Sequence, residues 1–233
     1  MKTAIITGAS SGIGKAISEI VLNSGYEVYG IGRDFSEAGS LLSREGFHKV
    51  ELDLLNTGKL LEEVKFFSKG KELSLLINCA GVGYYGLHEE LSAKNISEMV
   101  RVNLEVPLLL SNLLLRKLKE TSGTIINIAS VTASQSNPHG AAYGATKAGL
   151  LSFSKSLFDE ARKYGVKVTT ILPDITDTKL YRNADFQADE DENARLLPED
   201  IANAVDFILH LDPHQVMTEL TVRPQLHRIG KKQ

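Results

Sequence analysis

Apolar residues along the chain fall into two alternating rhythms. Short aliphatic, often β-branched runs read as strands at Thr3–Thr7, Tyr26–Ile31, Phe47–Leu52, Leu73–Asn78, Gly123–Ala129, Val166–Leu172 and Thr218–Val222. Between them lie stretches with helical spacing. Lys15–Asn23 carries Ala16, Ile17, Ile20 and Val21 on one stripe. Asn56–Lys69, Ser92–Glu105, Val106–Lys119 and Ala141–Tyr164 follow, and a last helix opens at Pro198 with two acids in its first turn. Strands that alternate with helices predict an α/β fold: a doubly wound parallel sheet with helices on both faces. One domain over residues 1–233 is expected, with no linker or internal repeat. The rhythm breaks between Pro173 and Leu197. Residues 179–197, with Asp185, Asp189, Glu190, Asp191 and Glu192, predict an acidic substrate lid; a plain surface loop is the alternative.

Composition narrows the function classes. Charged residues make up 24% and the net charge is −3, so the chain lacks the basic footprint that nucleic acid or an anionic membrane would require. No apolar run approaches the ~20 residues that span a bilayer. The single cysteine, Cys79, excludes an internal disulfide and a multi-cysteine metal site, and no metal is expected. With no charged-then-apolar leader pattern at the N-terminus, a cytoplasmic protein is the expectation.

The first strand runs directly into Gly8-Ala-Ser-Ser-Gly12-Ile-Gly14 and then a helix. Strand, glycine turn and helix form a phosphate-cradling arrangement, because the backbone can approach a pyrophosphate and the helix start offers free N–H groups. A tight turn without any ligand also wants glycine. At the end of the second strand, Gly32 carries no acid to repel a ribose 2′-phosphate, and Arg33 supplies a fork to bind one. Asp34 cuts either way: it could pair with Arg33, or cap a following helix. Asp53 ends the third strand, where it can meet an adenine amino group or cap a helix.

The chemistry concentrates after the fifth strand. Tyr143 lies thirteen positions beyond Ser130, and Lys147 four beyond Tyr143. An i, i+4 pair shares one helix face, so the Lys147 ammonium is expected beside the Tyr143 phenol, drawing its pKa down toward neutrality. A phenol tuned this way can pass a proton near working pH. Ser130 would sit at the carboxyl end of a strand, where open α/β sheets hold their ligands. His139, four residues before Tyr143, reads as a loop or rim residue. Tyr84, Tyr85 and His88 are candidates for the pocket wall.

Thr7-Gly8-x-x-x-Gly12-x-Gly14, Asn78-x-Ala80-Gly81, Asn103, Ser130 and Tyr143-x-x-x-Lys147 together resemble the short-chain dehydrogenases/reductases, and the likeness runs from about Thr3 to Val222. It implies a Rossmann-type fold, a nicotinamide cofactor and a catalytic set of Asn103, Ser130, Tyr143 and Lys147, with Asn103 keeping a water beside Lys147; with Arg33 at the end of the second strand, the cofactor expected is NADP(H). The expected cofactor contacts are Gly8, Ser10, Ser11, Gly12, Ile13, Gly14, Arg33, Asp53, Leu54, Asn78, Ala80, Gly81, Tyr143, Lys147, Pro173, Thr176 and Thr178. The family's Pro-Gly turn is Pro173-Asp174 here, which puts a carboxylate near the nicotinamide. The ending Thr218-Glu-Leu-Thr-Val-Arg-Pro resembles that of a subset of small NADP-dependent oxidoreductases. The implied activity is hydride transfer between NADP(H) and the carbonyl or hydroxyl of a small substrate, in a homo-dimer or homo-tetramer. A 3-oxoacyl-thioester reductase and a non-catalytic NADP-binding regulator are the alternatives.

Overall fold

Alternate residues of the central strands feed two different cores. In β1 (Lys2–Thr7), Ala4 and Ile6 join one buried cluster while Ile5 joins the other. In β4 (Glu72–Asn78), Leu75 and Ile77 face the first cluster, and Leu73 and Leu76 the second. A sheet covered on both faces needs apolar residues at every position, which is why these strands read as unbroken runs. The first core takes Ile17 and Val21 from α1 (Gly12–Asn23) and Ile201 and Val205 from α6 (Pro198–Leu209). The second takes Leu60 and Val64 from α2 (Thr57–Phe67), Leu110 and Leu114 from α4 (Val106–Thr121), and Tyr143 and Leu157 from α5 (Ala141–Ala161).

The molecule is seen in a computed structural model that describes residues 1–232, so the final position of the expected domain lies outside the described residues. With β2 (Glu27–Gly32), β3 (Phe47–Glu51), β5 (Thr124–Ile128), β6 (Lys167–Pro173) and β8 (Glu219–Val222), the sheet has seven strands in the order β3-β2-β1-β4-β5-β6-β8. Every neighbouring pair is parallel. This is the single-domain Rossmann-like arrangement expected from the pattern. Chain direction across the sheet reverses between β1 and β4, and a crevice opens there beyond the carboxyl ends of the strands.

Three features depart from the expectation. The two helical stretches that meet near Asn103 are continuous: α3 (Ala93–Val100) passes into α4 through a π-helical turn at Arg101–Glu105. Such turns insert an extra residue and recur at functional sites. The irregular stretch holds a short strand, β7 (Phe186–Ala188), which pairs antiparallel with β9 (Ile229–Lys231) near the end of the chain. Residues 226–232 thus lie against 179–197, a contact that nothing in the local pattern foretold. Asp34 caps no helix. Its carboxylate accepts the Ser36 N–H at 2.8 Å in a tight turn. Among the described residues, no helix is long and apolar enough to cross a membrane.

Candidate active site

A cavity of about 710 Å³ fills the crevice, within the usual size range of ligand sites. One end is the glycine turn. Gly14 is required there by packing, since a Cβ at this position would come within 2.1 Å of the Gly8 carbonyl oxygen. Gly32 is equally constrained, because a side chain there would strike Ser10 at 2.7 Å. Ser11 precedes α1 but makes no side-chain cap, and the first turn of that helix has no acid. The leading N–H groups therefore remain free for an anion. The Thr7 hydroxyl accepts the N–H groups of Cys79 and Ala80, each at 3.1 Å, which fixes the turn after β4 beside the glycines.

Sixteen of the seventeen expected cofactor contacts line this cavity: Gly8, Ser10, Ser11, Gly12, Ile13, Gly14, Arg33, Asp53, Leu54, Ala80, Gly81, Tyr143, Lys147, Pro173, Thr176 and Thr178. The exception is Asn78. Asn78 is buried inside the sheet, where its Nδ2 donates to Asn127 Oδ1 at 2.7 Å. It braces β4 against β5 and does not reach the cavity wall. Asp53 does not cap α2: Asn56 does, accepting the Lys59 N–H. The Asp53 carboxylate accepts the Leu55 N–H at 3.0 Å and keeps its other oxygen for the cavity. Arg33 is half exposed, and its nearest carboxylate is Glu98 at 4.0 Å, not Asp34. Glu98 is itself held by the Tyr84 hydroxyl at 2.9 Å.

At the other end Ser130, Tyr143 and Lys147 converge, all buried. Ser130 follows β5, and its Oγ accepts both the N–H and the Oγ–H of Thr132, at 3.2 and 3.0 Å. Its own proton is left to donate into the cavity. Lys147 Nζ donates to the Ile128 carbonyl at 2.9 Å and sits 5.7 Å from the Tyr143 ring centroid. The expected drop in the tyrosine pKa is reversed. Burial, with the Tyr181 phenol nearby, pushes Tyr143 well above its ordinary range, and hydrogen bonds with Ser130 and Tyr85 pull it only part of the way back. The same burial draws the Lys147 ammonium down to about 8. Desolvation penalises whichever form is charged.

Asn103 does not open onto the cavity. Its side chain is consumed by Val82 and by Thr146, whose Oγ1 lies 3.2 Å from Nδ2. Both Nδ2 protons are spent, and one lone pair of Oδ1 remains. Asp174, the replacement for the family's glycine, accepts the Ile175 N–H at 2.8 Å and faces Arg223 at 3.9 Å. His88 and His139 are exposed and off the wall. Tyr84 and Tyr85 are off the wall too, although Tyr85 packs on Tyr143 with ring centroids 5.5 Å apart. Its neighbours Tyr181 and Phe186 and the Asp174–Arg223 pair went unforeseen, because each depends on contacts between segments distant in sequence.

A family profile described as short chain dehydrogenase matches residues 2–189. An uncharacterized oxidoreductase of Staphylococcus saprophyticus is 34% identical over 231 residues, covering 96% of this chain and 97% of the relative. Among solved structures, an alcohol dehydrogenase from the archaeon Thermococcus sibiricus, complexed with 5-hydroxy-NADP, is similar with a TM-score of 0.88 and 27% identity, over 98% of each chain. A 3-ketoacyl-(acyl-carrier-protein) reductase from Brucella melitensis, complexed with NADH, gives a TM-score of 0.84 at 26% identity, over 95% of this chain and 96% of that one.

Proposed function

The chain belongs to the short-chain dehydrogenase family, an oxidoreductase family, and on that premise we propose that it is an NADP(H)-dependent carbonyl reductase. One observation carries the reading: a single cavity joins the glycine turn and Arg33 to Ser130, Tyr143 and Lys147. The residues suit a dinucleotide. The uncapped start of α1 and the glycine turn would hold the pyrophosphate, Arg33 the 2′-phosphate, and Lys147 with Thr178 the nicotinamide half. When bound, the nicotinamide supplies a hydride.

The chain's own groups manage the proton. Tyr143 would donate its phenolic proton to the carbonyl oxygen, which then becomes the hydroxyl of an alcohol. Ser130, with both lone pairs committed to Thr132, donates to the same oxygen and steadies its developing charge. The Lys147 ammonium, charged below about pH 8, steadies the phenolate left on Tyr143. Asn103 acts as a positioning residue through Val82. Residues 179–197 serve as the lid, since Tyr181 and Phe186 lie over Tyr85. Exposed Ala141 and Ala145 on α5 suit contact with a second copy, in keeping with a homo-dimer or homo-tetramer, and the lone cysteine suits the cytoplasm.

The test is NADPH oxidation by the purified protein with simple diketones and aldehydes. Turnover that depends on Tyr143 is expected. Tight NADPH binding with no turnover on any carbonyl would instead favour a cofactor-sensing regulator.

A further inference from the structure

The lid begins at the phosphate end of the cavity. Thr178, the residue before it, rests on the glycine turn: a Cβ at Gly12 would meet Thr178 Cγ2 at 3.3 Å. Backbone bonds hold this approach in place. The Asp177 N–H donates to the Leu196 carbonyl at 2.8 Å, and the Leu196 N–H to the Ile175 carbonyl at 2.9 Å. The Thr178 hydroxyl then accepts the Leu180 N–H at 3.3 Å and opens the short helical turn Lys179–Asn183. Lys179 therefore leaves a fixed point of the backbone. Its Nζ donates to the Glu37 carboxylate, on the loop that follows β2 and Arg33.

Lys179 and Glu37 line the same cavity as Arg33 and Asp34. The Ser36 backbone N–H holds the Asp34 carboxyl below its ordinary range, and Lys179 adds to that pull. A second cation thus stands at the end of the cavity where Arg33 is, and it comes from the lid. A phosphate monoester carries close to two negative charges near neutral pH. Arg33 supplies one positive charge against it, while Asp34 and Glu37 both oppose it.

The Lys179–Glu37 pair is easily exchanged. Its side chains are 67% and 54% exposed, and an ion pair in that much water is worth little. A doubly charged phosphate attracts the ammonium more strongly than one carboxylate does.

We infer that Lys179 is a ligand of the cofactor's 2′-phosphate. When NADP(H) enters, the ammonium leaves Glu37 and meets the phosphate beside Arg33, bringing the start of the lid with it. This deepens the NADP(H) reading and rests on it. NAD(H) has no 2′-phosphate, so with that cofactor the Lys179–Glu37 pair persists. The larger share of the preference stays with Arg33, whose planar fork suits a phosphate better than a point charge does. Lys179 and Glu37 then act on NADPH affinity with opposite signs. If their pair were only a strap on the lid, removing either partner would have the same effect.

The experiment measures the dissociation constants of NADPH and NADH, by cofactor fluorescence, for full-length wild type, Lys179→Gln, Lys179→Arg, Glu37→Gln and Arg33→Ala. Lys179→Gln should weaken NADPH about fivefold, the upper end for an exposed ion pair, and leave NADH within about twofold. Lys179→Arg, which keeps the charge, should stay near wild type. Glu37→Gln should tighten NADPH about two- to fivefold, because the ammonium is already free and an opposing acid is gone. Hydrogen exchange of the amides of residues 179–183 gives a readout independent of affinity. NADPH should slow it more than NADH does in wild type, and both alike in Lys179→Gln. If Glu37→Gln weakens NADPH, or if Lys179→Gln changes the two cofactors equally or not at all, the inference falls. A wild-type preference for NADPH that Arg33→Ala removes would still uphold the cofactor reading in that case. Equal binding of both cofactors by wild type would overturn the two together.

Discussion

Asn103 clips Val82 by both of its backbone groups: Asn103 Oδ1 accepts the Val82 N–H at 2.8 Å, and Nδ2 donates to the Val82 carbonyl at 2.9 Å. One side chain thus satisfies a whole peptide position of the loop that carries Tyr84 and Tyr85. The π-helical turn at Arg101–Glu105 holds Asn103 at this loop. The clip is buried, with Asn103 only 1% exposed, so neither hydrogen bond competes with solvent.

Asn103→Asp keeps the size but replaces the Nδ2 donor with an acceptor facing the Val82 carbonyl. Leaving buried partners unsatisfied costs about 1–3 kcal/mol, and more for a charge. The expected result is a loss of at least about 2 kcal/mol in a urea-denaturation series, with kcat falling as the Tyr85 loop loosens. Unchanged stability would mean that the clip does not hold the loop.

Tyr143→Phe removes the proton donor and keeps the ring that packs on Tyr85. Turnover should fall by at least ~10²-fold, the usual reach of general acid catalysis, while the NADPH dissociation constant stays within about twofold. Lys147→Ala should act partly through the same phenol, so the double variant should be little slower than the worse single one. Rate losses that multiply in full would refute a shared unit.

Lys147 also carries a stability signature. Burial lowers its folded pKa from 10.5 to about 8, so between those values the unfolded chain binds more protons than the folded one. Stability from this group therefore rises as pH goes from about 8 toward 10.5, and its cost is fully present below about 8. That cost is on the order of 3 kcal/mol at most, at 1.36 kcal/mol per pKa unit. Lys147→Met should be inactive yet melt no lower than wild type at neutral pH, with the gap between them closing as pH rises. A wild type whose Tm relative to the variant does not change with pH would contradict the assignment.

Arg33 reaches its nearest carboxylate, Glu98, only at 4.0 Å, and its side chain is 54% exposed. An exposed pair of this kind is worth little, so the guanidinium remains available to a phosphate. A charge-assisted contact is worth roughly 1.5–3 kcal/mol, or about tenfold to a hundredfold in affinity. Wild type should bind NADPH more tightly than NADH by that margin. Arg33→Ala should abolish most of the difference by weakening NADPH alone, as read from the two dissociation constants. Equal affinity of the wild type for both cofactors would remove Arg33 from the 2′-phosphate site.

The sequence by itself determined what depends on neighbours along the chain. Unbroken apolar runs between helical stripes made the doubly wound sheet legible, because a strand covered on both faces leaves no polar alternation. The glycine turn was legible because Gly8, Gly12 and Gly14 sit within one turn of a strand-to-helix junction. Tyr143 and Lys147 were legible because one helical turn joins them. The tertiary structure decided whatever depends on distant partners and on water. Asn103 became a clip because folding brings Val82 to it from twenty-one residues away. Tyr143 was pushed up instead of down because of desolvation, which belongs to the whole core. Arg33 met Glu98 instead of the adjacent Asp34, since Asp34 turned to the Ser36 N–H within its own loop. The lid gained its anchor from residues 229–231, more than forty positions on. Periodicity records which face of an element is dry. It carries no record of which other segment will dry it, and that choice is made only when the sheet has closed.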